Sequence, residues 1–323
     1  MSRIFITGGS GYVGRNLIRH LVARGDSVVA LARSAQAAAT VTALGATAHH
    51  GDLRQPGLSG AMCGCDILIH AAADTNHGWG TEAQRQTNLD GTRHVFASAR
   101  AAGVQQVIHI STESVLLDGQ PLRNATEDQA FPHKPAGAYS RTKAEAERIA
   151  LSYANEAMSV VVLRPRFVWG RDDTTALPQL SAAAREGKLA WIDGGGYRTS
   201  TTHIANLCAG VDKALQHGRN GQVYFITDGE PVVFREFITR LLATQGITAP
   251  DKSVPRALLG KIAAIGDLLA AISRGRIKPP ITRQEYATMA VEVTLDIGKA
   301  RKELGYAPVM SADAGLAELR GLT

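Results

Sequence analysis

The sequence has few cysteines, and they form no metal-binding or redox pattern. Of the three, Cys63 and Cys65 lie close together in a predicted loop, whereas Cys208 stands alone. No CxxC pair occurs, and no cysteine–histidine cluster has the spacing of a structural zinc site. We therefore expect no metal site, and reduced thiols in a cytoplasmic protein.

Long apolar runs and blocks of one charge are also missing. No run of about eighteen uncharged apolar residues occurs, and the chain enters a predicted strand without a charged-then-apolar leader. Secretion and membrane spanning are therefore not expected. The net charge of +6 is not gathered into a lysine or arginine block. This charge favours small anionic ligands and argues against nucleic acid as a partner.

Apolar runs alternate with helical periodicity through the first half of the 323-residue chain. The runs cover residues 3–7, 27–32, 66–72, 105–111 and 159–163, and the clearest helices cover 14–24, 81–102 and 138–156. This alternation predicts an α/β fold with a doubly wound parallel sheet, the Rossmann type. We predict a dinucleotide-binding domain over 1–165. A smaller substrate-binding cap over 166–323 would return some elements to the sheet.

The segment TGGSGYVG, from Thr7 to Gly14, follows the first apolar run. Gly8 permits a tight turn, Gly11 lets backbone approach a pyrophosphate, and Gly14 lets the next helix pack closely. The helix start would present its amides to the phosphates, with Tyr12 and Val13 beside them. Such a pattern is weak alone, but its place after a strand predicts a nucleotide-binding turn.

The end of the second predicted strand bears on the choice of cofactor. Enzymes that use NAD usually place an acidic residue there, whereas this chain has Ala32, Arg33 and Ser34. We therefore predict NADP as the preferred cofactor, with NAD possible. Arg33 would hold the 2′-phosphate, and Arg15 is a second candidate. A solvated arginine at a strand end is the alternative explanation.

Two further segments fall at the same predicted edge of the sheet. Asp52, which precedes Leu53, could accept a hydrogen bond from an adenine amino group. The run of Ala71, Ala72 and Ala73 is small enough for a cofactor to lie flat against the backbone. A plain transition from strand to loop explains the alanines equally well.

Tyr139 and Lys143 are four residues apart, so a helix places them on one face. A tyrosine normally titrates near pKa 10, and a nearby cation favours its phenolate form. The spacing alone carries little information, but the fifth predicted strand ends close by at Ser111 and Thr112. The pattern therefore indicates acid–base chemistry at Tyr139.

The order of glycine turn, GDL, triple alanine, serine and threonine, and YxxxK resembles the extended short-chain dehydrogenase/reductase superfamily over nearly the whole chain. Residues 222–242, QVYFITDGEPVVFREFITRLL, are most similar to the 3β-hydroxysteroid dehydrogenase-like branch. The resemblance implies that Tyr139 is the general acid/base and that Lys143 lowers its pKa and binds the nicotinamide ribose. It also implies that Thr112 hydrogen-bonds the substrate oxygen, that Asn88 supports this relay, and that Pro165 to Val168 contact the carboxamide.

Departures from the family pattern narrow the chemistry. Nucleotide-sugar dehydratases carry an Asp-Glu pair after the threonine, but Glu113 and Ser114 stand here, so water elimination is not expected. The segment from Arg198 to Asn206 is a poor match to a nucleotide-diphosphate site. His203, within that segment, is expected to have a structural role.

The substrate is expected to bind in the cleft between the two halves. Residues 254–274 have helical apolar periodicity and could form a lid, an interfacial helix or an ordinary packed helix. The candidate lining residues follow the predicted strands or begin the second half, and they are Asp74, Thr75, His77, Trp79, Glu113, Ser114, Phe167, Trp169 and Trp191.

These observations predict hydride transfer between nicotinamide and a carbonyl carbon of an apolar small molecule, in the reductive direction with NADPH. One alternative is an NAD-dependent 3β-hydroxysteroid or sterol dehydrogenase. Others are a nucleotide-sugar epimerase and a cofactor-sensing module without turnover. The resemblance further implies a homodimer formed through the helices over 81–102 and 138–156.

Overall fold

A computed structural model describes residues 1–273 and 275–322. The strands, in chain order, are β1 (Arg3–Thr7), β2 (Ser27–Ala32), β3 (Thr47–His50), β4 (Ile67–His70), β5 (Gln106–Ile110), β6 (Leu122–Ala125), β7 (Ser159–Pro165), β8 (Val168–Trp169), β9 (Trp191–Ile192), β10 (Arg198–Thr199), β11 (Thr202–His203), β12 (Val223–Ile226), β13 (Val232–Val233), β14 (Ser253–Val254) and β15 (Val293–Leu295). The α-helices are α1 (Tyr12–Ala23), α2 (Ala35–Ala43), α3 (Glu82–Arg85), α4 (Gly91–Ala101), α5 (Ala138–Leu151), α6 (Ala176–Arg185), α7 (Ile204–His217), α8 (Phe234–Ala243), α9 (Arg256–Ile272), α10 (Arg283–Met289), α11 (Gly298–Leu304) and α12 (Ala312–Gly321).

Seven strands form one parallel sheet in the order β12-β7-β5-β4-β1-β2-β3. The strand order reverses at β1, which pairs with β2 on one side and β4 on the other. Ligands of doubly wound sheets bind at the carboxyl edge beside such a reversal. The predicted fold class is therefore confirmed.

Both faces of the sheet are covered, which explains the continuous apolar runs in the sequence. Alternate residues of β1 separate the layers because successive strand side chains point to opposite faces. Ile4 and Ile6 belong to the larger core with Leu17 of α1, whereas Phe5 packs in a second core with Phe96 of α4.

Several predicted helix limits are wrong. The first helix begins at Tyr12, two residues before the predicted start, because Gly11 is already its N-cap. The helix predicted over 81–102 is interrupted by a π-helical turn over Gln86–Asp90. The helix predicted over 138–156 ends at Leu151.

The second half of the chain builds a smaller layer at the carboxyl edge. Three of its strands and β6 from the first half form a four-stranded sheet in the order β13-β10-β15-β6, and α6, α8 and α12 surround a third apolar core. Two elements of this half join the large sheet, because β12 pairs with β7 and α7 packs on β5 and β7. Residues 254–274 contain α9, and Arg274 lies outside the described residues.

Within residues 1–273 and 275–322, no helix is both long and apolar enough to cross a membrane. The same ranges contain no group of three or more His, Cys, Asp or Glu side chains placed to hold a metal ion.

Candidate active site

The glycine turn lies at the carboxyl end of β1, against the end of β4. Gly8 has φ +73°, and a Cβ there would come within 2.7 Å of the Ala72 nitrogen. The Thr7 hydroxyl accepts a hydrogen bond from the same Ala72 nitrogen at 3.3 Å. The turn is therefore pressed directly onto the triple-alanine segment.

Gly14 is required by the turn itself. A Cβ at Gly14 would lie 2.1 Å from the Gly8 carbonyl oxygen, a distance that only movement of the backbone could relieve. By contrast, a Cβ on Gly11 would meet only the Gly8 oxygen, at 3.3 Å, and face open space elsewhere. The helix α1 begins here, so the amides of Tyr12 and Val13 stand in its positively polarised first turn.

The end of β2 places Arg33 on the surface, directly before α2. Ser34 caps that helix by accepting a hydrogen bond from the Ala37 nitrogen at 3.2 Å. Among the described residues, Arg33 makes no hydrogen bond and no close ion pair. The second candidate cation, Arg15, donates to the Asp172 carbonyl at 2.9 Å. Arg33 is therefore the cation left open beside the helix N-terminus.

Asp52 is held by its own loop. Arg54 donates side-chain and backbone hydrogen bonds to its carboxylate, including one of 2.5 Å. These bonds and, more weakly, the charge of Arg33 keep the pKa of Asp52 below its ordinary value. Leu53 packs against Gly91, where a Cβ would meet its side chain. Asp52 and Leu53 are therefore held in place in the loop that follows β3.

Tyr139 and Lys143 lie on the buried face of α5, with exposures of 8% and 3%. The Lys143 Nζ donates to the Ile110 carbonyl at 2.9 Å. Burial lowers the pKa of Lys143 to about 8, although the charge of Glu147 opposes that shift. The lysine is thus anchored to the end of β5, one helical turn from the tyrosine.

The resemblance implied a lowered pKa for Tyr139, and the structure shows the opposite direction. Burial and the negative charge of Glu113 raise the pKa of Tyr139, while a hydrogen bond with Thr112 lowers it less. The Lys143 ammonium is directed to a backbone carbonyl instead. In this arrangement the phenol of Tyr139 keeps its proton at neutral pH.

Thr112 caps a short 3-10 turn over Glu113–Leu116, because its Oγ accepts a hydrogen bond from the Ser114 nitrogen at 3.2 Å. Its own hydroxyl donates to the Glu113 carboxylate at 2.8 Å. The interaction with Thr112 favours the phenolate of Tyr139, which is the direction expected of a hydroxyl that donates to the phenol oxygen. The Thr112 hydroxyl therefore lies between two oxygen acceptors, the Glu113 carboxylate and the Tyr139 oxygen.

Glu113 and Ser114 are buried and bonded to their neighbours, so the structure does not expose them as the predicted substrate contacts. Both are 3% exposed, and the Ser114 hydroxyl donates to Glu113 at 3.2 Å. Glu113 forms a buried ion pair of 2.5 Å with Arg166, which is 2% exposed. A carboxylate this closely paired is not available as the acid or base of a water elimination.

Arg166 is a central residue that the sequence analysis did not single out. It also donates to the Thr199 hydroxyl and the Thr288 carbonyl, each at 3.0 Å. It stands inside the segment from Pro165 to Val168, whose strand-end position was the only available signal. Pro165 ends β7, and Val168 pairs with Thr202 in a separate short sheet.

Asn88 occupies the π-helical turn, a feature that occurs often at functional sites. Its side chain accepts from the Asp74 nitrogen at 2.7 Å and donates to the Asp74 carbonyl at 3.1 Å. It also donates to the hydroxyl of Thr142, the neighbour of Lys143, at 3.1 Å. Asn88 thus fastens the loop after β4 to the helix that carries the tyrosine and lysine.

The loop after the alanines covers Tyr139. The ring of His77 lies 4.9 Å from the ring of Tyr139, and burial lowers the pKa of His77. The Thr282 hydroxyl, at the start of α10, donates to the His77 carbonyl at 2.9 Å. Trp79 is 46% exposed and lies against Gly275. The loop, the end of α9 and the start of α10 therefore form one edge of the cleft.

Two other predicted lining residues, Trp169 and Trp191, lie away from the cleft. Trp169 is 0% exposed and its indole donates to Asp228 at 2.8 Å, so it packs in the third core and not in the cleft. Trp191 is buried in the same core. Phe167 is half-buried at φ +42° and its ring lies 6.0 Å from that of Phe237. His203 is the N-cap of α7, accepting from the Ala205 nitrogen at 3.2 Å.

A doubly wound sheet, a glycine turn at its strand reversal and a buried Tyr-Lys pair define a dinucleotide-dependent enzyme. Residues 4–227 match the model of the NAD dependent epimerase/dehydratase family. The chain belongs to this family, which confirms the predicted extended short-chain dehydrogenase/reductase. It is an NAD(P)-dependent oxidoreductase.

Similar curated proteins cover almost the same length. A 4-hydroxy-2-methyl-3-oxo-4-farnesyl-3,4-dihydroquinoline-1-oxide ketoreductase of Stigmatella aurantiaca is 46% identical, over 98% of this chain and 96% of the relative. A 2-alkyl-3-oxoalkanoate reductase of Stenotrophomonas maltophilia is 33% identical, over 98% of each chain. A decarboxylating sterol-4-alpha-carboxylate 3-dehydrogenase of Dictyostelium discoideum is 30% identical, over 99% of this chain and 100% of the relative. These names agree with the predicted 3β-hydroxysteroid dehydrogenase-like branch.

Proposed function

We propose that the protein reduces the carbonyl group of an apolar small molecule to a secondary alcohol with NADPH. The observation that carries this proposal is the setting of Tyr139, which is buried beside the Thr112 hydroxyl and close to the Glu113 carboxylate. Both burial and that charge hold the phenol in its protonated form. A protonated phenol suits the delivery of a proton to the oxygen of a reduced carbonyl.

The residues at the carboxyl edge fit a dinucleotide. Gly11 leaves open space beside the turn, and any side chain at this position would occupy the space that we assign to the cofactor phosphates. We assign the phosphates to Gly8, Gly11, Tyr12, Val13 and Gly14, and the adenosine end to Arg33, Ser34, Asp52 and Leu53. We assign the remaining contacts to Ala71, Ala72, Ala73, Tyr139, Lys143, Pro165 and Val168. When bound, the nicotinamide supplies the hydride.

Residues of this chain carry out proton transfer, hydrogen bonding and positioning. Tyr139 donates the proton, Thr112 hydrogen-bonds the substrate oxygen, and the Lys143 ammonium reaches the ribose and the phenolate that is left. Asn88 holds the loop at Asp74 against α5. Asp74, Trp79 and Phe167 remain the proposed substrate contacts.

The preference for NADPH follows from Arg33. The Arg33 guanidinium has no hydrogen-bond partner within residues 1–273 and 275–322, and its place beside the positive end of α2 suits the extra phosphate of NADPH. Charge-assisted hydrogen bonds of this kind contribute about 1.5–3 kcal/mol each, so we expect NADPH to bind at least tenfold more tightly than NADH.

The apolar substrate is inferred from the relatives and from the cleft edge. The names of the relatives describe farnesyl, alkyl and sterol compounds. In this chain, the exposed indole of Trp79 and the apolar helix α9 stand beside the cleft. The relative from Dictyostelium favours one second candidate, an NAD-dependent sterol-type dehydrogenase.

Titration of the purified protein with NADPH and NADH, followed by fluorescence, tests the cofactor. Arg33→Ala should abolish the preference for NADPH, whereas Lys302→Ala, which removes an exposed charge on α11, should keep it. Tighter binding of NADH by the unmodified protein would favour the sterol-type dehydrogenase. Turnover of long-chain and prenylated ketones, lost in Tyr139→Phe with cofactor binding retained, tests the reaction itself.

We further propose a cytoplasmic homodimer that pairs α4 and α5 with their copies. The division into residues 1–165 and 166–323 stays a prediction, as does each assigned site role. The outer surfaces of α4 and α5 carry charged residues, including the 3.4 Å ion pair between Arg93 and Glu145. Light scattering of the purified protein gives the oligomeric state.

A further inference from the structure

The helix α9 exposes its large apolar side chains and buries its small ones. Ala263, Gly266 and Ala270 face the protein, and a Cβ on Gly266 would come within 2.5 Å of Pro279. Ile265 and Leu268 are 59% and 60% exposed. A helix that served only to pack on the core would show the reverse distribution.

The exposed apolar residues form one stripe. Of the ten large apolar side chains exposed among residues 1–273 and 275–322, six lie between positions 258 and 277. They are Leu258, Ile265, Leu268, Leu269, Ile272 and Ile277. Leu258, Ile265, Leu268 and Ile272 lie on a single helix face together with Lys261. Positions 258, 261, 265, 268 and 272 follow one another at alternating three- and four-residue spacing.

The same segment carries most of the net charge of the chain. Residues 256–278, which include α9, contain five Lys and Arg against one Asp, a net +4 of the total +6. Lys261, Arg276 and Lys278 are exposed beside the apolar stripe. The acidic Asp267 accepts a hydrogen bond from the Arg283 nitrogen at 3.4 Å. The apolar stripe is therefore bordered by cations.

We infer that α9 and residues 275–278 form a docking surface for an anionic lipid membrane. Apolar side chains with flanking lysine and arginine match the acyl boundary and headgroups of such a bilayer. A second copy of the chain fits less well, because self-pairing would bring two net-positive segments together. Trp79, which lies against Gly275, places this surface beside the cleft.

Binding of the full-length protein to vesicles tests the inference without any turnover. Vesicles that contain phosphatidylglycerol should bind the protein, and binding should weaken as salt is added. Vesicles of phosphatidylcholine alone should bind it far less. Absence of binding to the anionic vesicles would overturn the inference.

Two sets of variants separate charge from apolar contact. Each lysine or arginine near an anionic surface strengthens binding about fivefold. The combined variant Lys261→Glu, Arg276→Glu and Lys278→Glu should therefore bind at least about a hundredfold more weakly. The control Lys134→Glu, Lys188→Glu and Lys302→Glu makes the same change in total charge at exposed sites outside the segment, so it should bind much more tightly than the first variant.

The double variant Ile265→Gln and Leu268→Gln should weaken vesicle binding by about tenfold or more, since both side chains are exposed and would enter the bilayer. Val309→Gln and Leu322→Gln change equally exposed apolar residues outside the segment and should bind as the unmodified protein does. Unchanged melting temperatures would show that the variants fold. A dimer that dissociates in the α9 variant, without vesicle binding by the parent, would assign this surface to a second copy and overturn the inference.

Discussion

Arg166→Met should destabilise the protein by about 3–4 kcal/mol at pH 7. The substitution keeps the length of the side chain and leaves Glu113 without a cation at 3% exposure. Removing one partner of a buried ion pair typically costs about 3–5 kcal/mol. In the variant the Glu113 carboxyl can bind a proton and so avoid a buried, unpaired charge. Protonating a glutamic acid in water at pH 7 costs about 3.7 kcal/mol, and this cost sets the upper limit of the destabilisation.

The measurement is urea unfolding of the parent and the variant, followed by fluorescence. Because the variant escapes by binding a proton, its deficit should shrink as the pH falls toward about 5. The double variant Glu113→Gln and Arg166→Met removes both charges and should recover most of the loss. A deficit below about 1 kcal/mol, or no recovery in the double variant, would refute the account of this ion pair.

Three further predictions concern the sheet, the cofactor turn and the π-helical turn. His109 is buried with neither ring nitrogen hydrogen-bonded among the described residues, and burial holds its pKa well below 6.5. The contribution of the neutral His109 ring to the free energy of unfolding is present above about pH 6.5. It is lost as the pH falls, because the unfolded chain then binds a proton that the buried ring does not. His109→Phe should therefore lose less unfolding free energy than the parent between about pH 7.5 and pH 5. Gly14→Ala should weaken NADPH binding at least about tenfold because its Cβ would strike the turn, whereas Gly60→Ala, in open space, should not. Asn88→Ala should lower kcat about tenfold and leave NADPH affinity nearly unchanged, since Asn88 holds Asp74 and Thr142; equal losses in both quantities would contradict this role.

Local patterns predicted the parts of the molecule that depend on local physics. The glycine turn and the strand β1 depend on a few adjacent residues, and the family resemblance was confirmed by relatives along the whole chain. The π-helical turn around Asn88 was missed because it preserves the overall amphipathic pattern of a helix. The helix ends at Leu151 and not at residue 156, and the prediction was too long because the polar residues after Leu151 also suit a helical surface.

Residues that depend on distant contacts could not be predicted. Nothing local distinguishes Trp169 as a core residue, because its burial depends on Asp228 and on Phe237 of α8. The pairing of Arg166 with Glu113 crosses 53 positions, and no spacing rule connects them. The periodicity of α9 was visible, but which of its sides faces the protein is decided by the segment around Pro279.

The bonds of Arg166 also set the order in which the site can be completed during synthesis. Its guanidinium joins Glu113 to the carbonyl of Thr288, and Thr288 lies 122 positions after Arg166 in the chain. A nascent chain that has emerged through Arg166 holds the glycine turn and Tyr139, but not Thr288, which binds the other side of the guanidinium. The environment of the tyrosine is therefore finished only when α10 leaves the ribosome, long after the strands around the cofactor turn have emerged.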